Sequence, residues 1–487
     1  MENIYNIGEE VDFTKANFTA IVSDLHLCEA EPVDPDFPLW KKYKTREFFF
    51  DHQFRQFLEY IDKKASGEKI ELVLNGDVFD FDSMMFIPLN PTFKVSWLER
   101  HRGLEPEEEK SQVKVRKILE DHQEWCEAMR WFIEKGHRAV FVIGNHDLEL
   151  HFKKVQIEIM NGLNLSPQER KQVRFVEWFY ISNKDTLIEH GNQYDPYCVC
   201  DDPVNPFVVD YNQVQVRLPF GDWACRYLAN GMGFFNPHVE TNFDMTVPQY
   251  IAVFFRYMAR AQPLILWTWF WSCVAILWRT IYSNMQRPLS DPLTVEDRVE
   301  SIAKRSNATT RMVREMKELF VVPAASTPRR IMKELWLDRA FLVLISLFVM
   351  FQIINIIKLI YDLSFFWVFI PIFILLPPFV LYARNIDSYV QYYKKPSERT
   401  LTTAGMITKT SRVIYGHTHE VRHELIGGVE HLNSGTWSPA FEDVECTKSE
   451  DAKTFIWIEP QKEDRRAQVF QMVGDQAQPF FRALEDA

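Results

Sequence analysis

Three largely apolar runs, Thr19 to Val22, Ile70 to Leu74 and Ala139 to Ile143, each stop abruptly on a polar block. Short apolar runs that end this way predict buried strands with loops at their carboxyl ends. The blocks are Asp24-Leu25-His26, Gly76-Asp77-Val78-Phe79-Asp80 and Gly144-Asn145-His146-Asp147. Two more follow strand-like stretches: His190-Gly191 after Thr186 to Glu189, and Gly416-His417-Thr418-His419 after Val413 to Tyr415. The expected core strands are Ala20 to Ser23, Leu72 to Leu74, Val140 to Ile143, Val413 to Tyr415 and Phe455 to Ile458. The acidic segment from Glu105 to Lys135 reads as one outer helix between the second and third strands.

The fourth and fifth blocks are separated by residues 192–415, far more than a loop needs, so a separate structure is expected there. Two apolar arms in it, residues 341–357 and 365–383, are 17 and 19 residues long and read as two membrane spans. Lys358 and Asp362 form the polar tip between them. A core helical hairpin is the alternative, but arms this free of charge suit lipid better than a half-exposed helix, which would show a polar stripe. Leu264 to Trp278 is shorter and carries Trp267, Trp269, Trp271 and Trp278, so an interfacial position is expected. The blocks on either side of the insertion must share one side of a bilayer to share one site, which requires an even number of crossings. Arg329, Arg330, Lys333 and Arg339 precede the first arm, and Arg384, Lys394, Lys395 and Arg399 follow the second, which predicts that both ends face the cytoplasm.

The residue types in the five blocks suit two divalent cations, which need hard carboxylate oxygens, imidazole nitrogens and a ligand able to bridge. The order DxH, GDxxD, GNHD, HG and GHTH resembles the calcineurin-like metallophosphoesterase family. That resemblance covers the core and implies an α/β fold, a four-layer α/β/β/α sandwich; the helical, membrane-associated insertion that interrupts it is read from its own apolar segments. It implies that Asp24, His26 and His419 hold one metal, that Asn145, His190 and His417 hold the other, and that Asp77 bridges them. It also implies His146 as the catalytic acid and in-line attack on phosphorus by metal-bound hydroxide, with Asp80 and Asp147 supporting the ligands from behind. His151 is a weaker rival to His190. Manganese is the expected metal, and iron and zinc accept the same ligands.

The expected domains are a core at residues 15–200 and 405–465, an insertion at 201–404 and a tail at 466–487. A net charge of −12 disfavours a broad nucleic-acid surface. The first 18 residues lack the pattern of a secretory signal, and the seven cysteines show no disulfide framework. Cys198-Val199-Cys200 reads as ordinary loop cysteines, and the sequons at Asn17 and Asn307 are empty if they face the cytoplasm. The stretch from Arg298 to Lys333, with Lys304, Arg305, Arg311, Arg314 and Lys317, reads equally as a phosphate-binding or headgroup-binding surface and as a solvated helix of mixed charge.

A membrane-held site points to a lipid-linked or amphipathic phosphate ester or diphosphate as substrate. Residues 24–28 (DLHLC), residues 190–195 (HGNQYD) and the placement of the insertion are similar to bacterial UDP-2,3-diacylglucosamine diphosphatases, from which His146 departs because those enzymes carry arginine there. Two alternatives stay open: a phosphatase, phosphodiesterase or nuclease of soluble substrates merely anchored at the membrane, and a non-catalytic scaffold or receptor.

Overall fold

In the computed structural model, which describes residues 11–210, 213–234, 247–289, 292–361, 364–384, 395–449, 452–462 and 464–481, the three leading apolar runs are adjacent strands. β1 (Phe18–Val22), β2 (Ile70–Asn75), β3 (Arg138–Val142) and β4 (Val173–Val176) are joined in parallel. Val22 pairs with Leu74, and Asn75 with Val142, so the carboxyl ends of β1 to β3 lie level and their polar blocks share one edge. A second sheet begins with β5 (Phe179–Ser182) and β6 (Thr186–Glu189). β7 (Phe207–Asp210), β8 (Gln213–Val216) and β9 (Arg287–Pro288) form a small separate sheet.

The chain returns to the second sheet through β10 (Arg412–Tyr415), β11 (Arg422–Ile426) and β12 (Val429–Asn433), giving the order β11-β12-β10-β6-β5. β10 is parallel to β6, with Ile414 opposite Ile188, so the blocks after both strands also emerge together. β13 (Thr454–Gln461), β14 (Asp464–Val473) and β15 (Gln476–Pro479) complete the first sheet in the order β15-β14-β13-β1-β2-β3-β4. The sheet therefore continues to Pro479, and the expected end of the core at 465 falls inside β14.

Strand alternation explains the packing. Ile21, Val73 and Val140 turn inward against Tyr180, Ile188, Ile414 and Leu432 of the second sheet. Ala20, Val22, Leu72, Leu74 and Phe141 turn outward under the helices Asp51–Lys64 and Gln123–Glu134. The first of these helices buries Phe54, Phe57, Leu58 and Ile61, the spacing of one helical face. The outer face of the second sheet, including Phe179, Leu187 and Val413, meets the helices Pro292–Arg305, Thr310–Lys317 and Glu398–Thr408 through Val299, Ile302, Val313, Met316 and Leu401.

Several expectations need correction. The Glu105 to Lys135 segment is two helices, Glu108–Asp121 and Gln123–Glu134, divided at His122. His122 is buried and tied to Asp51 Oδ1 at 2.7 Å and to the Cys28 carbonyl at 2.9 Å, contacts that leave it outside helical geometry. Among the described residues one helix, Leu337–Lys358, is long and apolar enough to cross a membrane, and its apolar stretch carries no buried residue. The second arm is shorter: a 3-10 turn, Phe365–Val368, followed by a 16-residue helix, Phe369–Arg384. Pro371 falls in the first turn of this helix, where proline is accepted. Asp362 and Lys394 lie outside the described residues.

Leu264 to Trp278 falls in the longer helix Ile265–Met285, which buries Cys273, Ile276 and Thr280 and exposes Trp267, Trp271 and Trp278. The basic stretch is largely paired: Arg305 with Glu177, Arg311 with Glu315, Arg314 with Glu296 and Lys317 with Asp202. Asn307 uses its side-chain nitrogen on the Phe13 and Ile181 carbonyls, at 2.8 and 2.9 Å, so its sequon is spent on packing.

The core makes a direct stability prediction. Phe57 is fully buried against Phe54, Trp437 and Phe455. Phe57→Ala is expected to lose about 3–5 kcal/mol in urea denaturation followed by tryptophan fluorescence. A loss below about 1 kcal/mol would contradict this packing.

Candidate metal centre

All five blocks converge at the shared edge of the two sheets. Loops after β1 and β2 are stitched together, the Asp24 amide donating to the Gly76 carbonyl at 3.1 Å and the His26 amide to the Asp77 carbonyl at 2.9 Å. Asp24, His26, Asp77, His417 and His419 all have positive φ, between 48° and 67°. Non-glycine residues reach this region at a cost, and such strain gathers where side chains must be aimed at one point. The glycines in the blocks have a separate role, which is to clear space. A Cβ on Gly76 would lie 2.3 Å from His190 Nδ1, and one on Gly144 would lie 2.2 Å from Asp77 Oδ1.

Among the described residues four overlapping groups could hold a metal ion, one of them His26, Asp80 and His146, and two of the four carry the arrangement expected from the motifs. Ligand atoms of Asp24, His26 and His419 lie within 4.8 Å of one another, and so do those of Asp77, His190 and His417. His419 Nε2 is 3.3 Å from Asp24 Oδ1 and 3.3 Å from His26 Nε2. Asp77 Oδ2 stands between the clusters, 3.0 Å from His190 Nε2 and 3.9 Å from His26 Nε2. His190 sends Nδ1 to the Asn75 carbonyl at 2.9 Å, which turns Nε2 toward the acids. His417 Nε2 is 3.1 Å from Asp195 Oδ2, and its amide donates to Asp24 Oδ2 at 3.2 Å.

The donor set fits cations. Asp24 Oδ1 and Asn145 Oδ1 are buried and accept no hydrogen bond among the described residues. Buried oxygens without a donor are costly unless something positive faces them. Asn145 turns its Nδ2 away, donating to Asp222 Oδ1 at 3.2 Å. Burial is the largest influence on Asp77 and would raise its pKa, but His190, His146 and His26 outweigh it and hold the carboxyl well below its ordinary range. Asp77 is therefore ionised, the state that binding a cation would require.

His146 and its supporters lie largely buried beside the clusters. Its Nδ1 is 3.5 Å from Asp80 Oδ1 and 3.4 Å from Asp82 Oδ2, and its amide donates to Asp77 Oδ1 at 2.8 Å. Asp80 is itself fixed, accepting from the Asp82 and Ser83 amides at 3.1 and 2.9 Å. Asp147 does not face the clusters. It braces two loops by accepting from the Gly144 and Val78 amides at 2.6 and 2.9 Å, and burial together with the Asp77 charge pushes its carboxyl up to about 7. His151 belongs to neither cluster and lies edge-on to Phe207, 6.3 Å away.

Three residues near the site were not foreseen: Asp82, Asp195 and Asp222. Asp195 lies in the HGNQYD stretch, where its spacing from His190 was a usable signal. Asp82 stands two residues beyond Asp80, while Asp222 lies in the insertion with no motif around it. Cys198 joins a further group with Asp195 and His417, whereas Cys200 packs into the main core, and all seven cysteines are free thiols.

Residues 19–222 match the family model described as calcineurin-like phosphoesterase, so this part of the chain is a calcineurin-like phosphoesterase domain. Similar solved structures include a single mutant of Vps29 from Entamoeba histolytica, 17% identical with a TM-score of 0.14, covering 18% of this chain and 46% of that one. The wild-type Vps29 of the same organism with Zn²⁺ is 17% identical with a TM-score of 0.15, covering 18% and 46%. Vps29 from Cryptosporidium parvum is 21% identical with a TM-score of 0.14, covering 17% and 41%. The chain spans less than half the length of these structures. No curated protein matches it.

The close approach at Gly144 is open to test. Gly144→Ala is expected to weaken manganese binding by about 10- to 100-fold in calorimetric titration, with unchanged circular dichroism, because the new methyl group collides with Asp77. Wild-type affinity in that variant would show that Asp77 is not held where the geometry puts it.

Proposed function

We propose that this protein is a membrane-associated two-metal phosphoesterase that hydrolyses a phosphate ester or diphosphate on an amphipathic or lipid-linked substrate. The observation that carries the hydrolase reading is the convergence of carboxylates and imidazoles on Asp77, with the buried oxygens of Asp24 and Asn145 left without donors. Asp24, His26 and His419 would hold one ion, Asn145, His190 and His417 the other, and Asp77 would bridge. Bound there, two divalent ions supply Lewis acidity, acidifying water and offsetting charge on phosphoryl oxygens. Manganese is the metal we favour.

The chain's own residues do the rest. His146 faces two carboxylates through Nδ1, which keeps a proton on that nitrogen and leaves Nε2 to meet the departing oxygen. Asp80, locked by two backbone amides, sets the ring's angle. The two sheets and their helix covers are read as the four layers of the phosphoesterase sandwich.

Membrane association rests on the exposed apolar helix Leu337–Lys358, on the shorter helix after it and on the outward tryptophans of Ile265–Met285. Phe270 meets Phe341 at 6.0 Å, so the tryptophan-bearing helix and the long apolar helix touch. At about 1.5 Å per helical residue and 2 Å per 3-10 residue, the second arm spans roughly 32 Å, enough to return the chain to the side it left and keep both halves of the site together. We place the catalytic domain on the cytoplasmic side, from the positive flanks of the arms.

Manganese-dependent hydrolysis of a bis-aryl phosphodiester and of its monoester by the detergent-purified chain tests the chemistry. Asp77→Asn is expected to lose more than about 100-fold of the activity, and an unchanged rate would remove the two-metal reading. In a separate flotation assay the protein is expected to rise with phospholipid vesicles. Phe348→Arg combined with Val349→Arg, at about 2.5–3.5 kcal/mol per charge near the centre of a span, is expected to prevent it. Flotation unaffected by both charges would remove the membrane role of this helix.

A further inference from the structure

The phosphoesterase motifs do not build the metal centre alone. Asp222 lies in the short helix Phe220–Ala224, within the segment that separates the fourth and fifth motif blocks, and it is fully buried. Its Oδ1 accepts from Asn145 Nδ2 at 3.2 Å. A primary amide has a donating end and an accepting end, and whatever accepts from one fixes where the other points. With its nitrogen taken by Asp222, Asn145 must aim Oδ1 the opposite way, and that oxygen is buried and accepts nothing among the described residues.

We propose that Asp222 is a positioning residue for the metal centre, holding the Asn145 amide in the orientation that presents its carbonyl oxygen to a cation. The inference rests on the two-metal reading above and assigns part of that site to the segment after the fourth motif block, where residue 222 closes the stretch that matches the family model. Asp222 is itself firmly placed. Phe220 and Trp223, on the same short helix, pack in the main core. The following residues are anchored as well: Arg226 donates to the Gly103 carbonyl at 3.1 Å, and Tyr227 takes a hydrogen bond from Arg279 at 3.1 Å. Arg279 belongs to the Ile265–Met285 helix, which also exposes Trp267, Trp271 and Trp278. A continuous packed path thus joins an outward tryptophan face to one ligand of the metal centre.

The test is a calorimetric manganese titration of the detergent-solubilised full chain, with thermal melting of the metal-free protein alongside. Wild type is expected to bind two ions. Asp222→Leu, which fills the space but accepts nothing, is expected to lose about 10- to 100-fold in affinity for one ion only, while metal-free melting stays near wild type. Asp222→Asn retains an accepting oxygen and is expected to restore both affinities to near wild type. If the leucine variant does not fold, Asp222→Ala supplies the comparison. Wild-type affinity for both ions in a variant without an acceptor would overturn the assignment, as would equal losses in the leucine and asparagine variants. A wild-type chain that binds no manganese would instead overturn the two-metal reading itself, so the two failures are distinct.

Discussion

Everything at this site depends on one carboxylate being held ionised where imidazoles from both sheets meet. Asp77 follows β2 in the first sheet, yet its nearest imidazole, His190, follows β6 in the second. Such a meeting requires the two sheets to present their carboxyl ends on one side, level within a residue or so. The parallel registers of β1, β2 and β3, and of β6 and β10, provide that. The interdigitated layer of Ile21, Val73, Val140, Ile188 and Ile414 then fixes the distance between sheets. Dense apolar packing tolerates little displacement, so the core spacing becomes the spacing of the ligands.

The insertion is more than an appendage. Its helix Ile265–Met285 buries Cys273 and Ile276 in the same core that covers the first sheet, and the helices at 292–317 cover the second. Removing residues 260–400 would therefore expose core surface as well as delete the apolar arms. The outward apolar residues concentrate on the remaining part, above all 341–358, where exposure is nearly continuous. One set of helices is thus committed to the core, and another presents apolar side chains outward.

Much of this was legible in the sequence because the constraint is local. A ligand at the end of a buried strand leaves an apolar run, a glycine where a neighbour presses close and a donor residue, all within ten positions. Gly76 with Asp77 and Gly144 with Asn145 are such cases, and so the strand ends and the residues that gather at this edge could be read directly. What was not legible depends on distant partners. The break at His122 is made by Asp51 and the Cys28 carbonyl, far away in sequence. β14 has a mixed polar pattern because one face is exposed, so its place in the first sheet appears only with β13 beside it. Asp222 is one acid in an unremarkable segment until Asn145 is brought against it. The second apolar arm was read by composition, which does not place the change from 3-10 turn to helix at Phe369.

The most direct measurement is anomalous X-ray scattering at the manganese edge from crystals of the full chain grown with Mn²⁺. The account predicts two peaks a few Å apart, one between Asp24, His26 and His419, the other between Asn145, His190 and His417, with Asp77 touching both. A single peak, or density with Asp77 bound to neither ion, would contradict it.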